Sequence, residues 1–482
     1  MGPHSLMSEE LTNRKRLLAL YVLCLGVLMI VLDTTIVTVA LPTIQSDLRF
    51  SHATLTWVLN AYLLTYGGFL LLGGRLGDLY GPRRLFLAGL ALFTLASLAC
   101  GLARTRPELV VARATQGVGG AVVSAVALSL IMNLFTERAE RAMAMGVYGF
   151  VCAAGGGIAE LLGGFLTQTL GWHSIFLVNL PIGLAVYGLC VALVPQDEGS
   201  SAPRRLDVAG AVTITTALML AVYAVVNANV AGWGASQTVG LLGLAAAVLV
   251  VFVAIEARMA QPLIPLRLFL LRNLATANVL SVLWAAGVFA WFVTSALYLQ
   301  RILHYDPLRV GLAFLPADAI MAVFSLGLSA RMVRRFGIRT PLWLGLALCA
   351  AGLALFARAP LVGTFAWDVL PGMLLLGLGS GMAFNPVLLV AMNDVDNHES
   401  GLASGVVNTS FMMGGALGLA ALASVTDLRA GELQAAGTDP LAALNGGYHL
   451  AFWAGALLTA FGGLLGALVL RPREMAEAAP SV

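Results

Sequence analysis

The chain has 482 residues, 59% of them hydrophobic and only 11% charged, with a mean hydropathy of +0.90. That composition excludes an ordinary water-soluble globular protein. A net charge of +3 gives no hint of nucleic acid as a partner.

Apolar runs of about 20 residues or more, each long enough to cross a bilayer as a helix, recur along nearly the whole chain. Fourteen are predicted, at 17–40, 54–74, 84–104, 108–134, 142–168, 173–194, 208–228, 238–257, 273–300, 309–333, 340–358, 366–392, 400–426 and 447–470. Alternating strands of the kind that build membrane barrels are absent. The first run follows Arg14, Lys15 and Arg16 and is a full span, so it does not read as a cleavable signal. Residues 1–6, ahead of Met7, read as an appended scar. With both termini in the cytoplasm, most of the basic residues fall on one side: 14–16, Arg75/Arg83/Arg84, Arg138/Arg141, Arg204/Arg205, Arg258/Arg267/Arg272, Arg331/Arg334/Arg335/Arg339 and Arg471/Arg473. This asymmetry follows the positive-inside rule and would be scrambled by one missing span. The polar stretch 427–447, on the opposite side, reads as a lid or a disordered loop. Cys24, Cys100, Cys152, Cys190 and Cys349 all fall inside spans without a CxxC pair, so neither a disulfide framework nor a zinc site is expected.

The chain reads as two similar halves with an insert. Gly73-Gly74-Arg75-Leu76-Gly77-Asp78-Leu79-Tyr80-Gly81-Pro82-Arg83-Arg84 follows the second span, and a worn copy, Ala330 to Arg339, follows the tenth. Gly117-Val118-Gly119-Gly120 in span 4 and Gly163-Gly164 in span 5 have counterparts in Gly377-Leu378-Gly379-Ser380-Gly381 and Gly414-Gly415. Matches in the same order argue for duplication, the usual plan of secondary transporters. The predicted organisation is a cytoplasmic tail at 1–16, a six-helix bundle at 17–194, a linker with two inserted spans at 195–272, a second six-helix bundle at 273–470, and a tail at 471–482. Among 53 glycines, Gly155, Gly156, Gly163 and Gly164 have spacings suited to a close or sliding helix seam, although static packing accounts for any single one of them. The loop with Gly74, Asp78, Gly81, Arg83 and Arg84 suits an ion-paired latch between two helix ends; the plainer reading is a positive-inside loop with a capping Asp78.

These motifs together resemble the major facilitator superfamily, in particular its fourteen-span drug:proton antiporters. The resemblance is carried by Gly74-x-Leu76-Gly77-Asp78-x-x-Gly81-x-Arg83-Arg84, by Leu32-Asp33-Thr34-Thr35-Ile36-Val37-Thr38-Val39-Ala40-Leu41-Pro42 in span 1, and by Arg113-Ala114-Thr115-Gln116-Gly117-Val118-Gly119-Gly120-Ala121 in span 4. The run ending Leu162-Gly163-Gly164 in span 5 adds to it, and it covers essentially the whole chain. It implies an all-α polytopic protein, two six-helix bundles around a central cavity, worked by rocking alternating access, and export driven by inward proton flow. Glu160 stands where the fifth-span motif usually has proline, Thr38 where asparagine is common, and Phe411 and Met412 where polar residues are frequent, which makes a greasier wall.

Asp33, Glu160 and Asp318 are carboxylates inside apolar runs, and Arg113 is the basic residue deep in a span. Such groups are costly at membrane depth and are functional candidates by default. Asp33 is expected to carry protons or to pair with a cationic substrate, and Arg113 to tune a nearby acid, which the resemblance links to proton transfer. Glu160 reads either as a third proton-coupling group or as a protonated acid bonded to a carbonyl. Asp318 lies about ten residues into its span, or about 15 Å down, where transporter substrates bind, and is expected to be a substrate contact that favours cations. Gln116, Asn385, Asn408, Phe411 and Met412 lie on spans that the resemblance places against the cavity. Trp284 and Trp291 share a face, expected to meet lipid rather than a planar drug. Asp394, Asp396, His398 and Glu399 read as a solvated turn and helix cap rather than a metal cluster.

A membrane enzyme is disfavoured. The one lysine, Lys15, has no glycine loop before it, and HExxH and GxSxG are absent. A channel would be expected to repeat a selectivity filter with subunit symmetry. Uptake by symport remains the alternative to export, since one fold runs either way. The expected partners are a small-molecule substrate, protons and the lipid bilayer of a bacterial inner membrane. No cofactor, metal or nucleic acid is expected, and the chain is expected to act as a monomer.

Overall fold

The computed structural model describes residues 3–135, 137–195, 207–259, 262, 266–392, 395 and 400–470. Among these there is helix and no strand. Fourteen helices occupy the places of the fourteen predicted spans: α1 (Pro3–Leu48), α2 (Trp57–Tyr80), α3 (Pro82–Leu102), α4 (Arg106–Leu134), α5 (Arg138–Leu170), α6 (Asn179–Leu193), α7 (Val208–Ala231), α8 (Ser236–Glu256), α9 (Arg272–Arg301), α10 (Pro307–Val323), α11 (Arg339–Phe356), α12 (Leu370–Met392), α13 (Ser400–Ala435) and α14 (Pro440–Val469). Eleven of the helical rods are long and apolar enough to cross a membrane by length and composition, counted among the described residues; α2, α7 and α10 fall outside that count. Leu170, Leu184, Val250, Leu457 and Leu468 are mostly exposed. On a membrane protein this apolar outer surface belongs to lipid.

The helices pack with an internal two-fold repeat. In the first half α1 packs on α5 and α6, α2 and α3 pack on α4, and α3 packs on α6; the same pairs recur eight helices later as α9 on α13 and α14, α10 and α11 on α12, and α11 on α14. Between the halves, α5 packs on α10 and α13 on α2, again related by the repeat. Helix α7 bridges the seam by touching both α2 and α13, whereas α8 packs chiefly on α7 and is the least buried of the long helices.

Local chemistry sets the turns. Gly81 separates α2 from α3 at φ 94°, and Pro82 opens α3 at a first-turn position that needs no amide hydrogen. Gly337, at φ 74°, makes the corresponding corner ahead of α11 in the second half. Helix α10 contains Pro316 and runs into a π turn, Phe324–Leu328, where Gly327 leaves the helical region at φ 131°. Two features depart from the sequence reading. The stretch expected as a long polar loop at 427–447 is helical to Ala435 and again from Pro440, so α13 carries Asp427 within a helix. Trp284 and Trp291 do not face lipid: they are 3% and 1% exposed and stack among Phe384, Phe411, Phe292 and Phe314 in the second half. Their helix is wrapped by α13 and α14 as well as α12, which sequence periodicity does not reveal.

Candidate functional site

Asp33 and Arg113 meet in the first half, both fully buried. The Arg113 Nη1 donates to Asp33 Oδ2 at 2.6 Å and to Gln116 Oε1 at 2.7 Å, and its Nε donates to the Val58 carbonyl at 2.9 Å. Three residues separate Arg113 from Gln116, so α4 presents both on one face. The guanidinium carbon lies 4.3 Å from the centre of the Tyr62 ring and 5.6 Å from that of Phe176. Such cation–π contacts help to hold a charge that water no longer solvates.

The other oxygen of Asp33 accepts from Gln116 Nε2 at 2.7 Å and from Asn179 Nδ2 at 2.9 Å. Ser97 closes the network. Its hydroxyl donates to the Phe93 carbonyl at 2.8 Å, which leaves its lone pairs to accept from Gln116 at 2.8 Å and Asn179 at 3.4 Å. Four helices, α1, α3, α4 and α6, thus contribute to one carboxylate. All the groups facing Asp33 are donors, an arrangement that suits the ionised form, since a protonated acid would set its own hydrogen against one of them. Asn179 and Ser97 were not singled out from the sequence. The one signal was polarity within apolar runs, and small polar residues are too common in membrane helices for that to discriminate.

Beside this network the halves enclose space. A small cavity is lined by Thr34, Thr38, Tyr62, Arg113, Phe289 and Phe292, and a larger one, nearer the α9–α10 corner, by Leu41, Leu59, Val293, Thr294, Asp427 and Tyr448. Residues of both halves line each. The end at the α9–α10 corner is bridged by Arg301, which donates to Gln45, and by Gln300, whose amide donates to the Val39 carbonyl at 3.0 Å. Arg301 also lies beside Asp427 and Tyr448. Asp427 is a further carboxylate at the cavity, missed because span 13 was ended one residue short of it.

Glu160 and Asp318 sit elsewhere, on the seam between α5 and α10. They are 0% and 4% exposed and within hydrogen-bonding reach of one another. The four glycines of the predicted seam divide between two faces of α5. Gly155 and Gly163 face Val31, Ile36 and Val39 of α1, within the first half; Gly156 faces Asp318, and Gly164 faces the backbone of Pro307 and Leu308, across the halves. A Cβ at Gly164 would stand 2.9 Å from Leu308 Cα, so only glycine allows the two backbones to approach this closely.

The remaining predicted residues are dispersed. Phe411 packs on Trp284 and Phe289 in the second half, and Met412 lies against Gly67 of α2. Asn385 and Asn408 are half-buried. In the loop motif, Gly74 lies near Ala125 of α4, and Arg83 donates to the Val191 carbonyl of α6 at 2.7 Å, which ties the α2–α3 corner to the end of α6. Arg84 is exposed and engaged in an interaction of its own. Asp78 is on the last turn of α2, with its side chain outside the described set. Asp394, Asp396, His398 and Glu399, like residues 1–2, 196–206 and 471–482 of the predicted tails and linker, lie outside the described residues.

Residues 23–419 match the Major Facilitator Superfamily. The chain is similar to puromycin resistance protein pur8 of Streptomyces alboniger, 39% identical over 454 residues that cover 92% of this chain and 90% of that protein. It is also similar to cephamycin export protein CmcT of Amycolatopsis lactamdurans, 37% identical over 85% of this chain and 84% of that protein. Multidrug resistance protein Stp of Mycobacterium tuberculosis is 37% identical over 86% of this chain and 76% of its own length.

Proposed function

The chain belongs to the major facilitator superfamily, and on that premise we propose that this multi-pass membrane transporter is a proton-coupled exporter of amphipathic, cationic drugs or toxic metabolites. Its place is the cytoplasmic membrane of a bacterium, with both termini inside. The relatives' names, puromycin resistance, cephamycin export and multidrug resistance, favour efflux over uptake. The proton gradient supplies the energy, no cofactor takes part, and the functional unit is the monomer.

The observation that carries the reading is the buried Asp33–Arg113–Gln116–Asn179 network beside a cavity shared by the two halves. A proton carrier must alternate between a state in which its carboxylate is matched by donors and one in which it can accept a proton. In the present conformation Asp33 is matched. When the halves rock, the shared cavity lined by Thr34 and Arg113 opens to water; Asp33 then takes up a proton and lets go of Arg113, which keeps Gln116 and the Val58 carbonyl as partners. The proton's return path and the substrate's exit path then use the same alternation. Asp427 and the aromatic rings at the cavity provide the charge and the faces that a planar cation needs.

The test is transport of an ethidium-like dye in proteoliposomes under an imposed pH gradient. Uphill dye movement that collapses with the gradient is expected. Dye movement that is downhill only, or indifferent to the gradient, overturns proton coupling.

A further inference from the structure

Glu160 and Asp318 take no part in the Asp33 network, yet they are the one pair of facing carboxyls on the α5–α10 seam among the described residues. They come from opposite halves. None of their four oxygens finds a donor outside the pair, while the two side chains reach one another. Gly156 and Gly157 give Asp318 its room: a Cβ at Gly157 would stand 2.7 Å from Asp318 Cβ.

The helices packed around the pair bring no cation to it. Helix α12 and the π turn Phe324–Leu328 contain no charged residue. On α1, below its cytoplasmic end, the charges are Asp33, already paired with Arg113 of α4, and Asp47 near the far end, which accepts from the Trp172 indole at 2.8 Å. On α9 the charges are the terminal Arg272 and Arg301, on α5 they are Arg138, Glu140 and Arg141 at its start, and on α10 there is Arg309 near its start. Two ionised carboxylates do not share a dry site without a cation, whereas a carboxyl and a carboxylate do, joined through one proton in a charge-assisted O–H···O bond.

We propose that Glu160 and Asp318 hold a single shared proton that clasps the two bundles together in this conformation, and that release of the proton to water frees α5 from α10. The proposal rests on the reading of the chain as a proton-coupled transporter and adds to it a second proton-bearing site, placed on the moving seam rather than inside one half. With the proton gone, two like charges face each other across the interface and push it open. Asp318 is well placed to respond. Pro316 precedes it by two residues, and the π turn with Gly327 follows it, so α10 has a weakened ladder on either side of the clasp.

The test is a distance titration of the full chain in nanodiscs without substrate. Spin labels on encoded unnatural residues leave the native cysteines in place. One pair, at Leu170 and Val362, reports the outer ends of the halves; a second, at Tyr80 and Phe336, reports the inner ends. All four positions are more than half exposed or nearly fully so. Wild type is expected to change separation with pH in a one-proton transition. Glu160→Gln and Asp318→Asn should each abolish the transition and stay closed, since an amide donates permanently to the remaining carboxylate. The exchanged pair Glu160→Asp/Asp318→Glu, which keeps two carboxyls, should regain it. Variants that keep the wild-type midpoint and amplitude overturn the clasp, and so does a transition abolished by one substitution but not the other. A wild-type transition that follows sodium or magnesium concentration at fixed pH overturns it in favour of a metal cation. Because the labels report without substrate or gradient, failure of gradient-driven transport with this transition retained sinks the functional reading alone. Loss of the transition with proton-driven transport retained sinks the clasp alone.

Discussion

Removing Asp33 and Arg113 singly and together tests whether the network works as one charged unit. Asp33→Asn keeps the shape, and its Oδ1 still accepts from Gln116 and Asn179. The amide nitrogen, however, replaces the oxygen that faces Arg113 Nη1 at 2.6 Å. A donor then opposes a donor, and a guanidinium with no exposure to solvent is left without its counter-ion. Breaking one side of a buried ion pair costs about 3–5 kcal/mol. Here the lower end is expected, because Arg113 keeps the Gln116 and Val58 oxygens and the Tyr62 ring. Arg113→Gln leaves Asp33 with its two amide donors but no cation, at a similar cost. The double variant removes both charges, so its loss should fall short of the sum by about 2 kcal/mol or more, within the range of coupling for groups in contact. Stability is measured by reversible unfolding in mixed detergent micelles, alongside gradient-driven dye uptake, which both single variants should lose. Losses that add to within about 0.5 kcal/mol, or an Asp33→Asn variant with full gradient-driven uptake, would refute the reasoning.

Asn179→Ala removes a hydrogen bond to a charged group, worth about 1.5–3 kcal/mol, and should lower stability and weaken coupling without abolishing substrate binding, as read by dye-binding fluorescence. Gly164→Ala forces a methyl against the backbone of Pro307 and Leu308; overpacking of this kind costs about 1–3 kcal/mol, and transport should slow more than dye affinity falls. Gly81→Ala puts a side chain at φ 94°, where an L-residue is strained by about 1–2 kcal/mol, and should lower the thermal midpoint measurably. Arg301→Ala removes the bridge to Gln45 over the larger cavity, so a thiol reagent should label a cysteine placed at Thr294 several-fold faster than in the otherwise unaltered protein.

The sequence by itself determined that the chain crosses a membrane many times, that its halves repeat, and which charged residues are out of place in lipid. These follow from composition and local pattern. An apolar run of span length can only be a helix in a bilayer, and a buried carboxylate is conspicuous wherever it falls. Gly81 and Pro82 made their corner legible by falling in a basic, glycine-rich stretch between two apolar runs, where a Gly-Pro pair suits a turn and a helix start.

Which groups meet was decided by the tertiary structure. Asp33 and Arg113 are 80 residues apart in the chain, and Asp33 and Asn179 are 146 apart; no spacing rule connects them, and Asn179 and Ser97 carry no mark of their own. Periodicity likewise could not tell Trp284 facing lipid from Trp284 facing Phe411, because in a membrane protein both sides of a helix are apolar. The same limit applied to α5, where glycines one residue apart serve different neighbours, Gly155 against α1 and Gly156 against Asp318. Glu160 and Asp318 were each visible as costly acids, but that they face one another across the two halves depends on the α5–α10 packing. Pair chemistry, unlike burial, is a property of two helices at once.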